Sequence, residues 1–71
     1  MEETLSNRIA EFIKSKRIAK GLSQKQFAEL IFEDDKHQPY IHKVENGRPI
    51  SVITLDKILK KLGADIDIIE Y

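Results

Sequence analysis

The sequence predicts an all-α fold, a bundle of four to five short helices followed by a short C-terminal β-strand. Three observations predict it. Apolar residues recur at spacings of three and four in successive stretches, the signature of helices that each bury one face. Serine or proline opens most of these stretches, and glycine closes three of them. The last eight residues change to a period of two. With 71 residues the chain forms one domain with one small core. The helical part is expected over residues 1–63 and the strand over 64–71.

Leu5, Ile9, Phe12 and Ile13 stand at i, i+4, i+7 and i+8 and define the first helix. Thr4 or Ser6 caps its start, and Lys20-Gly21 ends it with a cation in the last turn and glycine at C′. Ser23 opens a short second helix whose inner face is Phe27, Leu30 and Ile31. Phe32 to His37 is polar and aperiodic and reads as a loop. Pro39 belongs near a helix start, so a third helix begins at about Gln38, with Ile41 and Val44 inward and Asn46-Gly47 at its end. Ser51 caps a fourth, lined by Leu55, Ile58, Leu59 and Leu62 and stopped at Gly63. Asp65, Ile66, Asp67 and Ile68 then alternate polar and apolar. A lone strand is not stable, so this segment either frays or pairs with a copy from a second subunit. In that pairing Ile66, Ile68 and Ile69 carry the dimer contact, with Asp65, Asp67 and Glu70 limiting aggregation.

Composition narrows the function. The chain has 12 Lys+Arg, 12 Asp+Glu and no cysteine, with 41% hydrophobic and 34% charged residues. That is too apolar for a disordered tail, and disulfides and thiol chemistry are excluded. The acidic start lacks a signal-peptide pattern, and no apolar run reaches the roughly 20 residues of a bilayer span. A cytoplasmic protein is expected. Zero net charge runs against a nonspecific nucleic-acid binder. The charge is unevenly spread, however. Residues 1–31 hold 6 basic and 4 acidic side chains, whereas 32–50 and 51–71 each hold 3 and 4.

Two short helices in succession suggest a helix-turn-helix. The run Lys16-Arg17-Ile18-Ala19-Lys20-Gly21-Leu22-Ser23-Gln24-Lys25-Gln26-Phe27-Ala28-Glu29-Leu30 resembles the first half of the Cro/C1-type (XRE) helix-turn-helix family, the family of lambdoid phage repressors and of helix-turn-helix antitoxins. Gln38-Pro39-Tyr40-Ile41-His42-Lys43-Val44-Glu45-Asn46-Gly47-Arg48 resembles its recognition helix and exit turn. The resemblance covers roughly residues 6–63. It implies a lambda-repressor-like bundle that binds double-stranded DNA as a homodimer.

The resemblance and the chemistry of groove recognition assign a DNA-binding set. Gln38, at the start of the recognition helix, can bond bidentately to adenine, and Lys43 can reach a guanine or a phosphate. Pro39 offers apolar contact to a thymine methyl, and His42 lies on the same outer face. The family pattern gives Gln24 a phosphate contact and a brace on Gln38, and Asn46 a phosphate contact from the turn. Lys25 and Arg48 add phosphate contacts. Tyr40 either touches the sugar-phosphate backbone or packs against helix 2, and Asn46 is also a plain helix-ending residue. Arg17 and Glu45 match a buried structural ion pair of the family.

The sequence departs from the pattern in its loop. Phe32 to His37 is about three residues longer than the usual 3–4-residue turn. It also holds Glu33, Asp34 and Asp35, which are either a solvated run or an element that binds a partner or discriminates among DNAs. No metal site is expected, since His37 and His42 stand five apart without cysteine or paired carboxylates. No cofactor is expected either. No catalytic constellation is apparent, so the chain is not expected to be an enzyme. The leading expectation is a sequence-specific repressor on a palindromic operator. The alternative is an antitoxin that binds a toxin protein and represses its own operon.

Overall fold

The computed structural model describes residues 4–67 and contains four α-helices: α1 (Leu5–Ala19), α2 (Gln24–Phe32), α3 (Gln38–Glu45) and α4 (Val52–Leu62). A 3-10 turn, Asp35–His37, joins α2 to α3.

Local chemistry sets each boundary. The Thr4 hydroxyl accepts from the Asn7 N–H and starts α1. Ser23 and Gln26 form a reciprocal capping box at α2, satisfying two N–H groups that have no helical partner. Ser51 caps α4 more simply, its hydroxyl accepting from the Thr54 N–H. The helix ends share one solution. After α3, the Gly47 N–H bonds Val44 O and the Arg48 N–H bonds Lys43 O, a Schellman closure with Gly47 at φ +87°. The same pair of bonds closes α1 at Gly21 and α4 at Gly63.

α2 ends differently. Its terminal residue Glu33 takes the left-handed conformation at φ +63°, the one non-glycine with positive φ among the described residues. Phe32 therefore completes α2, where the polar pattern suggested loop, because its ring packs against the core.

Every helix feeds the core. Ile13 comes from α1, Phe27, Ala28 and Ile31 from α2, Ile41 and Val44 from α3, and Ile58 from α4, all buried. Each large side chain removed from water contributes about 1.5–3 kcal/mol. The expected inner faces are nearly right. Leu5 and Leu30, however, are exposed, at 63% and 39%, and Ala28 is buried on α2 beside Phe27 and Ile31.

The expected C-terminal strand is absent from the described part of its range. Residues 64–67 have no regular structure, and no strand neighbours them among the described residues. Ile68 and Ile69 lie outside the described residues. Ile66 is 47% exposed. It borders an apolar groove of about 320 Å³ between α1 and α4, whose walls include Ile9, Phe12, Leu55 and Leu59.

Candidate nucleic-acid interface

α3 presents one polar face. Ile41 and Val44 are buried, which turns Gln38, Pro39, His42, Lys43 and Asn46 outward. These five stand at i, i+1, i+4, i+5 and i+8, one stripe of a helix. Arg48 follows, exposed, on the exit turn. Lys43 and Arg48 have no ion-pair partner among the described residues. Their charge is available to an external anion.

What holds α3 in place is an ion pair. Arg17, near the end of α1, donates from Nε to Glu45 Oε2 at 2.7 Å and from Nη2 to Oε1 at 2.9 Å. Its Nη1 donates to the Leu22 carbonyl at 2.8 Å. The side chains are 13% and 2% exposed. The Glu45 hydrogen bond raises the Arg17 pKa above its usual value, against the desolvation that burial imposes. The arrangement is the bidentate fork a guanidinium makes best, and it matches the expected Arg17–Glu45 pair.

Gln24 joins this pair. Its Nε2 donates to Glu45 Oε1 at 3.3 Å, so the amide braces the end of α3. The expected brace on Gln38, at the other end of that helix, is not among the hydrogen bonds of the described residues. Glu45 is the stronger acceptor because it is ionised. One carboxylate thus ties together the end of α1, the start of α2 and the end of α3. At the start of α2, Gln24 and Lys25 occupy first-turn positions whose N–H groups have no intrahelical acceptor, which is favourable for a phosphate.

Asn46 turns back on its own helix. Its Nδ2 donates to the His42 carbonyl at 2.8 Å and lies 3.2 Å from His42 Nε2. The helix-ending reading of Asn46 is therefore present in the geometry, and His42 and Asn46 act as one unit on the outer face. Tyr40 is half-buried and meets the Phe32 ring edge-on, centroids 5.8 Å apart. Of its two readings, packing against α2 is the one the contacts display.

The turn before α3 is ordered by groups that sequence reasoning left unconnected. His37 stacks on Phe32 with centroids 4.2 Å apart and planes 16° apart. Its Nδ1 lies 2.8 Å from Asp34 Oδ1, which also accepts from the Lys36 N–H. An ionised carboxylate only accepts, so this bond places a proton on Nδ1. The bond holds the Asp34 carboxyl below its usual pKa range. Lys57 of α4 lies over the same Phe32 ring at 5.3 Å. The available signal was Phe32 itself, four residues after Ala28 on the inner face of α2. Among the described residues no group of three or more His, Cys, Asp or Glu side chains gathers to hold a metal ion.

A short, capped α2, a turn and an outward-facing α3 on a helical core define the class of helix-turn-helix domains. Comparison with known families agrees. A model described as helix-turn-helix matches residues 13–69, and the chain belongs to that family, of the Cro/C1 (XRE) type. It is a DNA-binding transcription regulator of this type. No curated protein matches the sequence. No helix among the described residues is long and apolar enough to cross a membrane.

Proposed function

We propose that the protein is a sequence-specific repressor that occupies a palindromic operator as a homodimer. The single observation that carries the reading is the outer stripe of α3, held rigid from behind by the Arg17–Glu45 pair. Gln38 and Lys43 read bases in the major groove, with Pro39 and His42 beside them. Gln24, Lys25, Asn46 and Arg48 grip phosphates on either side. A dimer sets two copies of α3 about 34 Å apart, one DNA turn. The apolar groove between α1 and α4 shares no residue with this DNA set and supports a self-association face elsewhere on the molecule.

The test is a fluorescence anisotropy titration with promoter DNA from upstream of the coding sequence, across a salt series. Saturable binding with a steep salt slope is expected. Gln38→Ala is expected to weaken operator binding by about 1–3 kcal/mol, the worth of a bidentate base contact. A loss well below about 1 kcal/mol removes Gln38 from direct readout.

A second reading, an antitoxin that also binds a protein toxin, draws support from Val52 and Ile53. They are 82% and 84% exposed at the start of α4, outside both the DNA set and the groove. Co-expression with the neighbouring open reading frame, followed by co-purification and loss of the complex in a Val52→Ser, Ile53→Ser variant, tests it.

A further inference from the structure

The turn between α2 and α3 is longer than a tight helix-turn-helix turn, and it carries Glu33, Asp34 and Asp35 in sequence. It is not a loose bulge. Asp34 is spent internally, on the Lys36 N–H and on His37 Nδ1. His37 is stacked on Phe32. The turn packs back along α2. These contacts leave Asp35 at a fixed place, its Oδ2 3.7 Å from Lys25 Nζ.

Lys25 sits in the first turn of α2, beside Gln24, where backbone N–H groups already favour a phosphate. Its ion-pair partner among the described residues is this carboxylate of the turn. Both side chains are half exposed, 58% and 51%. A pair so exposed is weak enough for an arriving anion to open. A phosphate and Asp35 therefore compete for one ammonium.

We infer that Asp35 sets the protein's overall affinity for DNA, by holding Lys25 in an intramolecular pair that competes with every DNA phosphate. The inference rests on the DNA-binding reading above and deepens it. The penalty falls on every sequence alike, so it lowers specific and nonspecific affinity by the same factor and leaves discrimination to the base contacts of α3. It also withholds one positive charge from the phosphate count, because a lysine already neutralised by a carboxylate releases less counterion on binding. The acidic run thus gives a chain of zero net charge a way to stay off random DNA.

The experiment uses the full chain, a random-sequence duplex and a salt series. Asp35→Asn is expected to tighten nonspecific binding by about threefold to tenfold at low salt and to steepen the logarithmic salt slope by about 0.9, one phosphate's worth. Circular dichroism melting checks that the variant folds as the parent does. Two further variants separate pairing from net charge. In a Lys25→Gln background the Asp35→Asn gain is expected to vanish. Asp67→Asn, which removes an exposed carboxylate at the α1–α4 groove and leaves the pair intact, is expected to leave the slope nearly unchanged. The inference is overturned if Asp35→Asn leaves affinity and slope unchanged, if its gain persists without Lys25, or if Asp67→Asn matches it. If the parent chain binds no duplex at low salt, the DNA-binding reading itself fails. If the parent binds and Asp35→Asn has no effect, only the role of Asp35 fails.

Discussion

Glu33 sits where three other helix ends of this protein use glycine. At φ +63° its Cβ crowds the following carbonyl, a cost of roughly 1–2 kcal/mol for an L-residue. Glycine avoids that cost but loses more backbone entropy on folding. Glu33→Gly is therefore expected to raise stability by a net of about 0.5–1 kcal/mol, seen as a higher urea midpoint with an unchanged m-value. Asp34, one residue on, has its pKa lowered by the hydrogen bond from His37. A carboxylate with a depressed folded pKa stabilises the fold above its unfolded value, near about 4. That contribution is lost as pH falls through the folded value. The stability gap between the parent and Asp34→Asn should accordingly be present at neutral pH and close as pH drops below about 4. Urea denaturation across a pH series measures it.

The helices were legible in the sequence because punctuation and periodicity agreed. Thr4, Ser23 and Ser51 accept the hydrogen bonds that caps should accept, and Gly21, Gly47 and Gly63 close the helices they follow. The turn was not legible. Its order comes from a ring stack across Phe32 and His37 and a bond from His37 to Asp34, and hydropathy registers neither. Gln24 illustrates the same limit at the site. Its position at the start of α2 follows from Ser23, but the partner of its amide is Glu45, 21 residues away, and only the folded arrangement brings them together. The exposed stripe of α3 was readable, since burying Ile41 and Val44 leaves its neighbours no other direction.

This region is also where the elements depend on one another most. Arg17→Ala leaves the Glu45 carboxylate, 2% exposed, without its countercharge. Removing one member of a buried pair costs about 3–5 kcal/mol, a large share of the roughly 5–15 kcal/mol that holds a small domain together. Thermal unfolding should display the loss. The double replacement Arg17→Met with Glu45→Leu should be far milder than either member's removal, because no buried charge is left unpaired.

At the scale of the whole molecule, neutrality is a balance of regions. The excess of cations lies in residues 1–31, while the acids outnumber the bases in the turn region and toward the C-terminus. One small core supports two separate surfaces, the polar face of α2 and α3 proposed to meet DNA and an apolar groove between α1 and α4. A domain of this size has no interior to spare for a cleft, so what it does is done on its outside.

The three-way bond at Glu45 has a kinetic consequence. Because Gln24 and Arg17 both hold that carboxylate, the start of α2 and the far end of α3 keep a fixed separation before DNA arrives. In the proposed complex the protein meets its operator as a stiff caliper, with the span from the proposed phosphate grip to the proposed base reader already set. Little ordering remains to be done at encounter, so losses of affinity from contact residues belong in the lifetime of the complex. Gln38→Ala should shorten residence on the operator while leaving the association rate nearly untouched, whereas Glu45→Gln, which slackens the caliper, should slow association as well. Stopped-flow mixing with labelled duplex separates the two. The same stiffness sets the register strictly, because a caliper that does not flex does not stretch to a contact displaced by one base pair.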